Sequence, residues 1–280
     1  MTRTSAARLA TPQRYSLAEG IIWDERAGQA LWVDIDAGDP VRDLGHPVAR
    51  HLDTTVGAVA LAEDGGLLVA GHRGLIAIAA DGAISRGPDL VGAASRLNDG
   101  IVDPQGRFIV GSASTTGQAG DQVLLRVSPD GSVETLRDGL SLSNGLAFSA
   151  DGTLFHVDTW LKTISALRDG AWVTVIDGFE GYPDGITIDS DDRLWVALYG
   201  SGRVERYTLD GELLETVTIG TPEATCVGFL PAGLAITSGA ESATDAEAGA
   251  IYLATVDTTG RPENRWAGST ADPYWKRDSR

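Results

Sequence analysis

The chain has 280 residues, 42% of them hydrophobic, with 35 Gly, one cysteine and a formal net charge of -17. That length and apolar content suit one large all-β domain, while the charge repels phosphate backbones and anionic lipid, so neither nucleic acid nor a membrane is an expected partner. Cys226 alone rules out an intramolecular disulfide and a Cys-based zinc cluster. No signal-like or membrane-length apolar run is found, and a cytoplasmic protein is expected.

In chain order, the predicted elements are copies of one hairpin: a short apolar run, a turn with Asp, Gly or Pro, then a second apolar run. The copies are EGIIWDERAGQALWVDI, GAVALAEDGGLLVAG, NDGIVDPQGRFIVGS, NGLAFSADGTLFHVD, DGITIDSDDRLWVAL and TCVGFLPAGLAITSG. They begin at Glu19, Gly57, Asn98, Asn144, Asp184 and Thr225, with spacings of 38, 41, 46, 40 and 41 residues. Val, Ile, Leu, Phe and Trp fill the runs, and the turn residues supply or tolerate positive φ.

Further strand pairs lie between the copies: 124–136, 163–176 and 204–217, each turning on Asp-Gly. A period near 40 residues with four strands per unit predicts a six-bladed β-propeller of antiparallel blades around a central channel. A strand near Gln13–Leu17 is expected to complete the sixth blade and remove its open edge. The whole chain, 1–280, is read as this one domain, with about 1–12 and 269–280 as loose tails.

In a propeller the first strand of each blade lines the channel, so the six starting residues should crowd one end of the axis. They include two carboxylates, two carboxamides and a hydroxyl. Crowded carboxylates resist ionisation, and a divalent cation held by carboxylate and carboxamide oxygens resolves the conflict. Read alone, Asn144-Gly145 or Asp184-Gly185 is an ordinary turn former, and the chain has ten Asp-Gly pairs. The shared register across the repeat favours a central metal site.

Four motifs carry a family resemblance: LAEGIIWD with ALWVDI (17–24, 30–35), SRLNDGIVDPQGRFIVGS (95–112), LSNGLAFSADGTLFHVD (142–158) and YPDGITIDSDDRLWVAL (182–198). From about Leu17 to Gly239 the chain resembles the senescence marker protein, gluconolactonase and luciferin-regenerating enzyme family of propellers. The resemblance implies one divalent metal held by Glu19, Asn144 and Asp184, with Ca, Zn, Mn, Mg and Fe all open. It implies substrate contacts from Arg96 and Asn98, and Asp184 as general base. The activity implied is metal-dependent hydrolysis of a small sugar lactone; a monomer is expected separately, because a closed propeller has no exposed sheet edge demanding a partner. A non-sugar lactone or other ester, and a binding propeller with a structural metal, are the alternatives.

The Gly-rich loop SASTTGQAGDQ (112–122) lacks a Glu that some relatives use for sugar hydroxyls. Gln118, Asp121 and Gln122 are its candidate substitutes. Arg96 without the motif would read as a surface ion pair, and Asn98 as a cap for Asp99-Gly100. His156 reads as a half-buried strand residue, Cys226 as a core or channel residue, and Trp23, Trp32 and Trp195 as packing between blades. Trp160, Tyr182 and Tyr199 are placed at the mouth of the site. No histidine sits near a G-x-S-x-G sequence, which argues against serine-hydrolase chemistry.

Overall fold

A computed structural model describes residues 3–117, 120–240 and 245–277. It is an all-β, six-bladed propeller with four antiparallel strands per blade. The first strands of the blades are Ala18–Asp24, Ala58–Leu61, Ser95–Val102, Ser143–Phe148, Tyr182–Ile188 and Ala224–Leu230. Each touches the next in a closed cycle, the last meeting the first, and so they line the channel.

Both faces of every blade are covered, which explains why the strands read as almost continuous apolar runs. Side chains alternate between the two neighbouring blades. In blade one, Leu31, Val33 and Ile35 pack with Val59, Leu61 and Val69 of blade two. Ala30 and Trp32, on the other face, pack with Ala235 and Ile251 of blade six. One such apolar cluster fills each of the six interfaces between blades. Burying a large apolar side chain there contributes about 1.5–3 kcal/mol. Trp32 and Trp195 are fully buried, while Trp23 is only partly so.

The strand that completes blade six is Arg8–Leu9, paired with Ile251–Ala254, and not Gln13–Leu17. Four strands about 4.8 Å apart make a blade roughly 14 Å wide, so the chain needs several residues to return from its outer edge to the axis. Residues 10–17 make that passage, guided by the Tyr15 amide donating to Gly249 O at 2.9 Å. Just before, Arg3–Ala6 adds a fifth, parallel strand to blade five, so much of the expected N-terminal tail is in sheet.

The other end of the chain is also anchored. After blade six, residues 258–270 cross the face opposite the site. Thr259 O accepts from Ser190 of blade five, Arg265 bridges to Asp24 of blade one at 2.6 Å, and Thr270 donates to Asp64 of blade two. Trp275, on the short helix Tyr274–Arg277, donates from Nε1 to Ser85 Oγ at 2.8 Å. Among the described residues, no helix is long and apolar enough to cross a membrane.

Candidate metal centre and active site

The Asn-Gly and Asp-Gly pairs at the ring positions are not turns. They lie inside first strands, at β-bulges that interrupt the register between Ser143 and Leu146 and between Pro183 and Ile186. Similar bulges follow Glu19, Leu97 and Ala224. A bulge re-aims a side chain, here toward the channel. Gly145 allows blade five to approach, because a Cβ there would collide with the Asp184 carbonyl oxygen. Several other Asp-Gly aspartates do cap turns: Asp130 Oδ1 accepts from Ser132 N at 2.9 Å and Asp151 Oδ1 from Thr153 N at 3.0 Å.

Glu19, Arg96, Asn98, Asn144 and Asp184 all line one cavity of about 370 Å³ at the channel mouth. Glu19, Asn98, Asn144 and Asp184 are each at most 7% exposed. The two other ring members do not join them. Thr225 donates to Ala18 O at 2.6 Å and meets Thr237 Oγ1 at 2.8 Å, so its hydroxyl serves blade packing. Gly57 contributes only backbone, since a Cβ there would strike the Asn98 and Leu97 carbonyl oxygens.

Asn144 is fixed in orientation. Its Nδ2 donates to Thr159 Oγ1 at 3.1 Å, and that hydroxyl donates onward to Pro183 O at 2.9 Å. The carboxamide oxygen is therefore left as the acceptor, and it receives Asn98 Nδ2 at 3.3 Å. Thr159 thus joins the strands that carry Asn144 and Asp184. Nothing in its sequence context marks it except its position just past the strand Leu154–Asp158, whose Asp158 pairs with Ser143.

Asn98 is a bridge, not a turn cap. Its Nδ2 also donates to Ser143 O at 2.9 Å, and its Oδ1 accepts from Arg96 Nη1 at 2.6 Å. Arg96 accordingly lines the cavity, with its Nη1 held by Asn98. Of the loop candidates, Gln118 lies outside the described residues. Gln122 is buried, bonded through Ser112 Oγ at 2.9 Å and to Asp121 Oδ1 at 2.5 Å. Neither Asp121 nor Gln122 lines the cavity, whereas Ser114 and Gly117 do.

The electrostatics are those of a site short of positive charge. Burial, then the Asp184 and Asp99 carboxylates, push the Glu19 carboxyl well above the usual range, against the Gly20 amide and Arg96. Burial raises Asp99, further down the channel, to about 6. Two carboxylates and a carboxamide oxygen in a partly solvated cavity are a donor set that a divalent cation fits. Among the described residues no group of three His, Cys, Asp or Glu side chains is placed to hold a metal ion, so a cation here would also draw on carboxamide oxygen or water.

A Ser–His contact that the sequence does not flag lies behind the site: Ser143 Oγ is 2.8 Å from His156 Nε2. Both residues are fully buried, correcting the half-buried reading of His156. Burial, then Arg137, whose Nη1 is 3.2 Å from His156 Nδ1, push the imidazole down to about 3. An imidazole so weakly basic, facing a guanidinium where a triad needs a carboxylate, does not activate a serine. The Cys226 thiol is pushed well up, first by burial and then by Glu19, Asp99 and Asp184, which removes it as a nucleophile.

Comparison with known proteins gives the family and the fold. A family model described as SMP-30/Gluconolactonase/LRE-like region matches residues 17–239. A pentonolactonase of Haloferax volcanii is 30% identical over 278 residues, covering 89% of this chain and 94% of the relative. A 6-deoxy-6-sulfogluconolactonase of Pseudomonas putida is 32% identical, covering 90% and 95%. The crystal structure of a calcium-binding protein, regucalcin, from Agrobacterium tumefaciens superposes with a TM-score of 0.88 at 25% identity, covering 95% of this chain and 99% of that one. The chain belongs to the SMP-30/gluconolactonase/LRE-like family.

Proposed function

We propose that this protein is a divalent-metal-dependent lactonase that opens a small sugar lactone. The observation that carries the reading is the convergence of Glu19, Asn144, Asp184, Arg96 and Asn98 on one cavity, although they come from four blades. The pentonolactonase and sulfogluconolactonase relatives support the reaction class. The regucalcin structure, a calcium-binding protein, supports the cation.

Glu19, Asn144 and Asp184 would hold the cation, which when bound polarises the lactone carbonyl and acidifies water. Arg96 faces the cavity with guanidinium donors for substrate oxygens, and Asn98 fixes its angle through the 2.6 Å bond. Asp184 accepts the proton of the attacking water, as a buried carboxylate beside the reacting carbon can. That proton passes to the ring oxygen as the acyl–oxygen bond breaks, leaving a hydroxy acid.

A pH-indicator assay over a panel of sugar lactones tests this, using metal-stripped protein and each divalent cation added back. Acid release restored by a cation is the expected result. No release with any cation, in protein that binds one cation per chain, would refute the lactonase reading and leave a binding role.

A further inference from the structure

The floor of the cavity is polar, but its outer wall is not. Trp160 and Tyr182 line it and are 41% and 37% exposed, a large aromatic surface beside otherwise buried polar groups. Their ring centroids are 5.2 Å apart at 75°, an edge-to-face contact. Each is tied to the site by sequence. Trp160 follows Thr159, which orients Asn144, and Tyr182 stands two residues before Asp184.

The pair is also fixed from behind. Trp160 sits in the turn 159–162, closed by Lys162 N donating to Thr159 O at 3.0 Å. Lys162 adopts φ of 54°, a left-handed conformation that usually selects glycine. A side chain is nevertheless kept there, and its ammonium lies 4.4 Å over the Tyr182 ring. The wall is therefore ordered before any ligand arrives, which lowers the entropic cost of binding.

We propose that Trp160 and Tyr182 form a preformed stacking platform that takes the C–H face of a ring-substituted lactone and so sets substrate preference. This rests on the lactonase reading. A lactone ring carrying equatorial hydroxyls and a carbon side chain presents polarised axial C–H bonds on its faces and oxygens around its edge. The C–H face suits the negative face of an aromatic ring, and the oxygens at the ring's edge then reach toward Arg96 and the Ser114 hydroxyl. An unsubstituted lactone reaches the floor and makes little use of the wall.

The test compares glucono-1,5-lactone with unsubstituted δ-valerolactone in metal-loaded wild type, Trp160→Ala and Trp160→Phe. For Trp160→Ala, kcat/KM should fall about 10- to 50-fold on gluconolactone and less than about 3-fold on valerolactone, the scale on which apolar pocket contacts discriminate. Trp160→Phe should recover most of the loss, and the exposed site should leave thermal unfolding unchanged in both variants. Equal losses on the two lactones, or no loss on gluconolactone, would overturn the platform. If wild type opens no lactone, the parent reading fails and the platform with it.

Discussion

Thr159→Val removes one hydroxyl and preserves shape, so it isolates what the hydroxyl does. In the native chain that oxygen accepts from Asn144 Nδ2 at 3.1 Å and donates to Pro183 O at 2.9 Å, in a residue only 4% exposed. The variant strands two buried polar groups, at about 1–3 kcal/mol each. More important, the Asn144 carboxamide loses the contact that assigns its nitrogen outward, and either end can then face the cation position. Loss of such an orienting partner weakens metal binding by about 10- to 100-fold. Calorimetric titration of stripped wild type, Thr159→Val and Thr159→Ser with a divalent cation reads this directly. Thr159→Ser keeps the hydroxyl and should bind within about threefold of wild type. A folded Thr159→Val protein that binds the cation and opens lactone as well as wild type would refute the orienting role.

Other consequences follow from the same geometry. Asp184→Ala should reduce lactone opening by at least about 100-fold while the circular dichroism spectrum and melting temperature persist, because Asp184 faces the cavity and not an interface between blades; near-normal turnover by metal-loaded protein would sink the mechanism. Glu19→Gln should raise the melting temperature of the metal-free chain at pH 7, since burial and Asp184 already oppose the Glu19 charge, and should abolish the stabilisation that added cation gives wild type. A lower melting temperature would contradict this. His156 is held neutral in the fold with a value pushed from 6.5 to about 3, so the unfolded chain takes up its proton first. Its contribution, of order 5 kcal/mol, is present above pH 6.5 and lost as pH falls from there toward 3; denaturant titrations of wild type and His156→Gln across that window should differ in slope, and parallel curves would count against it.

The blades were legible because each strand carries its own alternation and each turn its own Asp, Gly or Pro. Leu31 and Val33 against Ala30 and Trp32 state the period of two within five residues. The closing strand was less so. Arg8–Leu9 is two residues long and exposed, and its place depends on the free edge of Ile251–Ala254, some 240 residues later. The ring positions were legible from register, yet register does not say where a side chain points. Thr225 shares it with Asp184 but turns its hydroxyl to Ala18 O, because blade six packs its first strand on blade one there. Thr159 went unseen for a related reason: it acts through another residue's amide, and a hydroxyl after a strand has no motif of its own.

The central claim is that one cation, held by Glu19, Asn144 and Asp184, makes the site catalytic. Its most direct test is the initial rate of lactone opening as cation is titrated into stripped protein. The account predicts a rate near background without metal, a linear rise to one equivalent per chain and a plateau beyond it, with no rise in Glu19→Gln. Full activity in the stripped chain, or an unchanged titration in Glu19→Gln, would contradict it.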